Sequence, residues 1–126
     1  MKAQVKWVGD AEFLGTSGSG HTITMDGPPD FGGKNAGIRP MEMLLLGLGG
    51  CSAFDVVHIL KKSRQQVSGC EIELHADRAM EDPKGFTKIN IHYVITGTGL
   101  KESLVDRAVK LSAEKYCSAS IMLAKS

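Results

Sequence analysis

The chain has 126 residues, 42% of them hydrophobic, with 15 basic against 14 acidic side chains and a formal charge of +1. That is enough apolar material for one real core and too much for a disordered chain. The balanced charge, with Tyr93 and Tyr116 lying outside any Arg/Lys cluster, disfavours nucleic acid as a main partner.

The first residues, MKAQVKWVGDAEF, lack the apolar core of a secretory signal. Cys51, Cys70 and Cys117 form neither a secreted disulfide framework nor a Cys-x-x-Cys pair. An intracellular, cytoplasmic location is therefore expected, in which a disulfide between two of these thiols would be transient and chemical.

Residues 2 to 8 alternate loosely, with Ala3, Val5 and Trp7 on one side, and predict a half-exposed strand. Residues 9 to 20 are turn-rich and end in GTSGSG. Residues 21 to 26 predict a second short strand with Ile23 and Met25 on one face. The loop over 27 to 39, GPPDFGGKNAGIR, is long for a plain connection, and two uses stay open: a surface crossover or a segment that carries function. The glycines at 15, 18 and 20 lead to a strand rather than a helix, so they fail the context of a dinucleotide fingerprint.

Residues 40 to 63, PMEMLLLGLGGCSAFDVVHILKKS, predict the long central helix. Pro40 suits its first turn, and Lys61 and Lys62 suit its last. Leu44, Leu48, Cys51, Asp55 and His58 recur at helical spacing, with Leu45 and Ser52 beside them. A helix apolar on most sides is expected to be buried. It is a poor membrane span, because the uncharged run between Glu42 and Asp55 is short of the ~20 residues a span needs. Gly47, Gly49 and Gly50 serve either close backbone packing or an opening of the helix around Cys51.

Residues 70 to 77 alternate cleanly: Cys70, Ile72, Leu74 and Ala76 against Glu71, Glu73, His75 and Asp77. They predict a strand with one wet face and Cys70 as a core thiol. Residues 86 to 96 predict its neighbour, with Thr87, Ile89, Ile91, Tyr93 and Ile95 as the apolar side. His75 and His92 lie on the wet faces and lack the company a metal site requires. Residues 100 to 116 predict an amphipathic helix carrying Leu104, Ala108 and Leu111 on its dry face. It weakens at Cys117-Ser118-Ala119-Ser120, and IMLA then starts a short helix or a strand. The order argues α+β with antiparallel pairing in one domain, 1–126. The central helix needs cover on more than one side, which makes a two-fold homodimer the expected assembly.

Cys51 and Cys117 lie 66 residues apart, so only the fold can join them. A reactive thiol has to form thiolate, and its sulfenic acid can condense with a second thiol. On an ideal helix His58 is two turns from Cys51, which makes a Cys-His-Asp hydrolytic site poor in geometry. Asp55, one turn away, would oppose a Cys51 thiolate unless another group neutralised it. An inert core thiol at Cys51 fits the same residues.

Gly37-Ile38-Arg39-Pro40-Met41-Glu42-Met43-Leu44-Leu45, running on to Gly50-Cys51-Ser52, resembles the G-x-N-P-E-x-L-L segment and reactive cysteine of the OsmC/Ohr family of thiol-dependent peroxidases. Cys117-Ser118-Ala119-Ser120 matches the place of the family's other cysteine. The resemblance covers the element order of nearly the whole chain, although the family usually continues into a final strand. It implies an intertwined α+β homodimer with antiparallel sheets on a long buried helix. It also implies reduction of organic hydroperoxides, in some members of hydrogen peroxide, by Cys51 thiolate. Cys117 would resolve the sulfenic acid as a disulfide, and a lipoyl-type dithiol or small thiol would reset it. No cofactor, metal, nucleic acid or membrane is implied. The chain departs from the pattern at three points: Met41 stands at the family's glutamate, Arg39 at its asparagine, and no arginine precedes Arg39. Arg39 and Glu42 are expected to act as a rearranged pair around the first helical turn, with Lys34 a weaker stand-in for the arginine. The competing expectation is a relative with weakened activity that senses oxidants or binds an apolar ligand.

Overall fold

A computed structural model describes residues 1–125. Its element order is β1 (Ala3–Gly9), β2 (Glu12–Ser17), β3 (Thr22–Met25), a short 3-10 turn (Pro29–Phe31), α1 (Pro40–Lys62), β4 (Gln66–Arg78), β5 (Phe86–Thr98), α2 (Glu102–Leu111), a π turn (Ser112–Tyr116) and α3 (Ser118–Ala124). The chain forms two compact units, Met1–Leu44 and Leu45–Ser126.

In the first unit β1, β2 and β3 make an antiparallel sheet in sequence order. The turn-rich reading of residues 9 to 20 is corrected here, because Glu12–Ser17 is the middle strand. Gly15 and Ser17 hid it: a glycine and small polar residues lower strand propensity. The sheet overrides that propensity by packing Ile23 and Met25 of β3 over Gly15. Val5 and Trp7 stay largely exposed on β1. Beyond β3, the buried Asp26 organises the long loop. Its carboxylate accepts the N–H groups of Gly27, Lys34 and Ala36 at 2.7, 3.0 and 3.1 Å. The N–H bonds from Lys34 and Ala36 hold its pKa below the ordinary value near 3.8. Met25 and Ile38 close the loop with a single parallel bridge.

In the second unit β4 and β5 form a 13-residue antiparallel ribbon. Cys70 faces Ile95, Ile72 faces Tyr93 and Leu74 faces Ile91, while Glu73 faces His92 on the wet side. Leu48, Ser52, Val56 and Leu60, at a strict four-residue spacing, are the buried stripe of α1 together with Gly49. The core is Val56, Leu60 and Ala108, surrounded by Ile59, Val67, Tyr93, Ile95, Val105 and Val109. A Cβ at Gly49 would lie 2.8 Å from Leu74 Cδ1, whereas Gly47 and Gly50 face open space. Close packing against β4 therefore explains Gly49 and leaves the other two without a contact among the described residues.

The α+β class, the antiparallel pairing and the long apolar helix are as the sequence predicts. The expectation of a helix buried on most sides is corrected for a single chain. Leu46 and Phe54 are 61% and 74% exposed, so one stripe only is covered. By length and composition α1 is long and apolar enough to cross a membrane, its 23 residues containing an 18-residue window of mean hydropathy 1.8. Its buried stripe nevertheless serves the packing of the second unit.

Candidate functional site: a buried thiol pair

Two irregularities bring Cys117 to Cys51. The α-helical geometry predicted to run to residue 116 ends at Leu111. The next five residues widen into a π turn, closed by the N–H of Cys117 on the carbonyl of Ser112 at 2.8 Å. Such widened turns cluster at functional sites. Cys117 itself is extended and caps α3, its sulfur accepting the N–H of Ser120 at 3.4 Å. Ser112, fully buried, ties the turn to α1. Its hydroxyl donates to the carbonyl of Ser52 and to Asp55 Oδ2, both at 3.4 Å.

The result is a cluster in which Cys51 Sγ, Cys117 Sγ and a carboxylate oxygen of Asp55 all lie within 4.8 Å of one another. All three cysteines are free thiols, with Cys117 buried and Cys51 half-buried. Ser52 Oγ lies 3.4 Å from Cys117 Sγ. Two thiols near bonding distance with a carboxylate beside them are consistent with a thiol-based peroxidase centre, because the second sulfur can condense with an oxidised first one without refolding.

The two thiols divide their charge unequally. The N–H of Ala119 stabilises a Cys51 thiolate, but burial, the Cys117 sulfur and the Asp55 charge outweigh it, so Cys51 lies above its ordinary value near 9.0. Burial opposes a Cys117 thiolate. The hydroxyls of Ser120 and Ser52, the N–H of Ser120 and the Cys51 thiol overcome it, and Cys117 lies below that value. The two thiols interact, so they titrate as a pair. Cys70 stands apart on β4, its thiol pushed up by burial.

The other predicted residues have partners of their own. Arg39 and Glu42 belong to the first unit. The Arg39 N–H donates to Glu42 Oε1 at 2.8 Å, half of a capping box at the start of α1. The guanidinium instead donates to Asn35 Oδ1 at 3.0 Å and to the Gly37 carbonyl at 3.3 Å. The two charged groups therefore do not form the side-chain pair expected of them. The ion pair of Lys34 is with Asp10, both largely exposed. His58 stacks on Phe54 on an exposed face of α1. Sequence reasoning missed Ser112 and Ser120 and gave Ser52 no role. For Ser52 and Ser112 the available signal was a serine inside a buried helical stripe, a position that demands a hydrogen-bond partner.

Residues 32–126 match the family model described as OsmC-like protein. Protein YhfA of Escherichia coli (strain K12) is 54% identical over 99% of this chain and 90% of its own length. The crystal structure of a hypothetical protein from Aquifex aeolicus VF5 superposes with a TM-score of 0.87 at 38% identity, covering 99% of this chain and 87% of that one. An organic hydroperoxide resistance protein OsmC from Legionella pneumophila shares the fold at a TM-score of 0.69 and 17% identity, over 97% of this chain and 87% of that one.

Proposed function

The chain belongs to the OsmC-like protein family, and we propose that it is a thiol-dependent peroxidase reducing organic hydroperoxides, and hydrogen peroxide as a smaller substrate. The observation that carries this is the mutual approach of Cys51 and Cys117 within 4.8 Å, across 66 residues of sequence. In the first step Cys51 loses its proton to solvent and, as thiolate, attacks the distal peroxide oxygen. The O–O bond breaks, Cys51 becomes a sulfenic acid, and the alkoxide leaves as the alcohol once protonated. Cys117 then attacks that sulfur. A disulfide forms and the hydroxyl leaves as water with the Cys117 proton. A lipoyl-type dithiol, or two small thiols, returns both cysteines to the reduced state and is itself oxidised to a disulfide.

Residues 1–126 are taken as one domain of this family, working in the cytoplasm as a homodimer. Support for the dimer comes from the uncovered apolar surface of each unit: Leu46 and Phe54 on α1, and Val5 and Trp7 on the first sheet, beside an apolar hollow of about 460 Å³. Sedimentation equilibrium tests it, a monomer at micromolar concentration being the refuting result. Arg39 and Glu42 are assigned a part in catalysis. Arg39→Ala and Glu42→Gln, compared in peroxide consumption and in thermal stability, separate that part from helix capping.

The experiment for the peroxidase is consumption of cumene hydroperoxide and hydrogen peroxide by reduced protein. Activity is lost in Cys51→Ser, and Cys117→Ser accumulates a trappable sulfenic acid. Turnover no faster than that of a free thiol overturns the proposal. It would favour the second reading, an oxidant sensor with weakened activity, which draws on the raised pKa of Cys51 and on Met41 at the family's glutamate position.

A further inference from the structure

We propose that the reduced Cys51–Cys117–Asp55 cluster binds a thiophilic divalent cation, with Zn²⁺ the best match, and that peroxide oxidation of the two thiols releases it. The site shares its sulfurs with the peroxidase reading but does not depend on turnover.

The first support is distance. A tetrahedral zinc holds sulfur at about 2.3 Å and carboxylate oxygen at about 2.0–2.2 Å, which separates its donors by roughly 3.5–3.8 Å. The three donor atoms already lie within 4.8 Å of one another. Closing them on one ion draws each pair in by at most about 1.0–1.3 Å.

The second support is the company each donor keeps. Metal ligands are held by outer hydrogen bonds that fix their orientation. Here the Cys117 sulfur accepts from Ser120 N–H and lies beside Ser52 Oγ. Asp55 Oδ2 accepts from Ser112 Oγ. The Cys117 sulfur and the Asp55 carboxylate are thus oriented before any ion arrives, and two of their three outer partners, Ser112 and Ser120, come from the π turn and the start of α3.

The third support is donor chemistry. Two thiolates select zinc, cadmium or cobalt over magnesium and calcium, which prefer oxygen. Three protein ligands leave a fourth position for water, the pattern of zinc sites that remain open rather than closed structural ones. Cys51 and Asp55 are half-buried, so the cluster is open to solvent on their side. Binding displaces one proton from each thiol to solvent. Oxidation by a hydroperoxide consumes the same two thiolates and two protons, gives a disulfide, an alcohol and water, and leaves Asp55 alone with the ion. Metal and disulfide are therefore mutually exclusive states of one pair.

The test is anaerobic titration of reduced, metal-free protein with Co²⁺, then displacement by Zn²⁺ against a chromophoric chelator. One equivalent per chain is expected, with a thiolate-to-cobalt charge-transfer band and tetrahedral d–d absorption. Cys51→Ser and Cys117→Ser each abolish the charge-transfer signature of a two-thiolate site. Asp55→Asn weakens Zn²⁺ binding by at least roughly tenfold, the scale on which even an outer partner acts. Cys70→Ser changes nothing. Disulfide formation in the wild-type protein, which avoids any folding defect of a variant, ejects the ion stoichiometrically. Binding that survives oxidation, or that follows Cys70, overturns the proposal, as does failure to bind one equivalent of Co²⁺ or Zn²⁺. Peroxide consumption by the metal-free protein is measured in parallel, so loss of that activity with intact metal binding refutes the peroxidase reading alone.

Discussion

Oxidation of Cys51 and Cys117 should stabilise the protein by an amount the fold fixes. The disulfide would close a loop of 66 residues. In the chain-entropy account, a loop of that size removes about 4 kcal/mol of freedom from the unfolded state. Against it stand the contacts that the Cys117 sulfur makes as a thiol or thiolate, with Ser52 Oγ and Ser120 N–H at 3.4 Å each. Weakening two such bonds costs roughly 1 kcal/mol apiece. The sulfurs must also close from within 4.8 Å to a bond length of about 2.05 Å, which sets a small strain term. The net expectation is about 2–3 kcal/mol in favour of the oxidised form. With an m-value of about 2 kcal/mol/M for a domain this size, the urea midpoint should rise by roughly 1–1.5 M. The assay is urea unfolding of reduced and mildly oxidised protein, with Cys117→Ser under the same oxidant as the control and peptide mapping of the bond. An unchanged midpoint with a mapped Cys51–Cys117 bond would refute the loop-entropy reasoning. A bond that maps to Cys70 would refute the site geometry.

Leu60 is fully buried in the core with Val56 and Ala108. Leu60→Ala should cost about 2–5 kcal/mol, read in denaturant unfolding, and a loss below 1 kcal/mol would displace Leu60 from the centre of the second unit. Gly47→Ala faces open space and should gain up to about 1 kcal/mol from helix propensity. Gly49→Ala instead drives a Cβ to 2.8 Å from Leu74, where overpacking of roughly 1–3 kcal/mol offsets that gain. The Gly47 variant should therefore melt above the Gly49 variant, and the reverse order would mean that something packs on Gly47. Asp26 has a lowered pKa in the folded state because Lys34 and Ala36 donate N–H bonds to its carboxylate. Its contribution is fully present above the unfolded carboxylate pKa near 3.9 and is lost as pH falls through the lower folded value. The stability gap between wild type and Asp26→Asn should thus narrow on acidification from pH 5 to pH 2, and a gap independent of pH would remove Asp26 as the organiser of the loop.

The exposed apolar residues and the thiol cluster describe two sides of one helix. Leu48, Ser52, Val56 and Leu60 face the core of the second unit, while Leu46 and Phe54 face outward. Ser52 lies on the buried stripe and reaches Cys117. Its hydroxyl gives an otherwise apolar surface one hydrogen-bonding group, placed where a sulfur anion needs it. The same helix can therefore serve as core, as chemical scaffold and as the surface proposed for a second copy.

Periodicity determined much of this protein. The alternation of residues 70–77 and 86–96 specified two strands with their wet and dry faces, since a strand has a two-residue repeat whatever it packs on. Pro40, the Leu/Met run and Lys61-Lys62 specified α1 to within a residue at each end, because proline geometry and end charges act locally. The cysteine motifs marked Cys51 and Cys117 as candidates. Only the tertiary structure decided that β2 exists, because Gly15 and Ser17 are poor strand formers until β1 and β3 pair with them on both sides. Tertiary packing also converted the end of the last long helix into a π turn, through the buried Ser112 hydroxyl on Ser52 and Asp55. That one widening sets Cys117 beside Cys51. Proton affinities, too, depend on groups that sequence distance cannot reveal: Ser52 lies 65 residues from the sulfur it helps to charge. Local repeats could name the thiols, but the charge each one carries follows from contacts made across the fold.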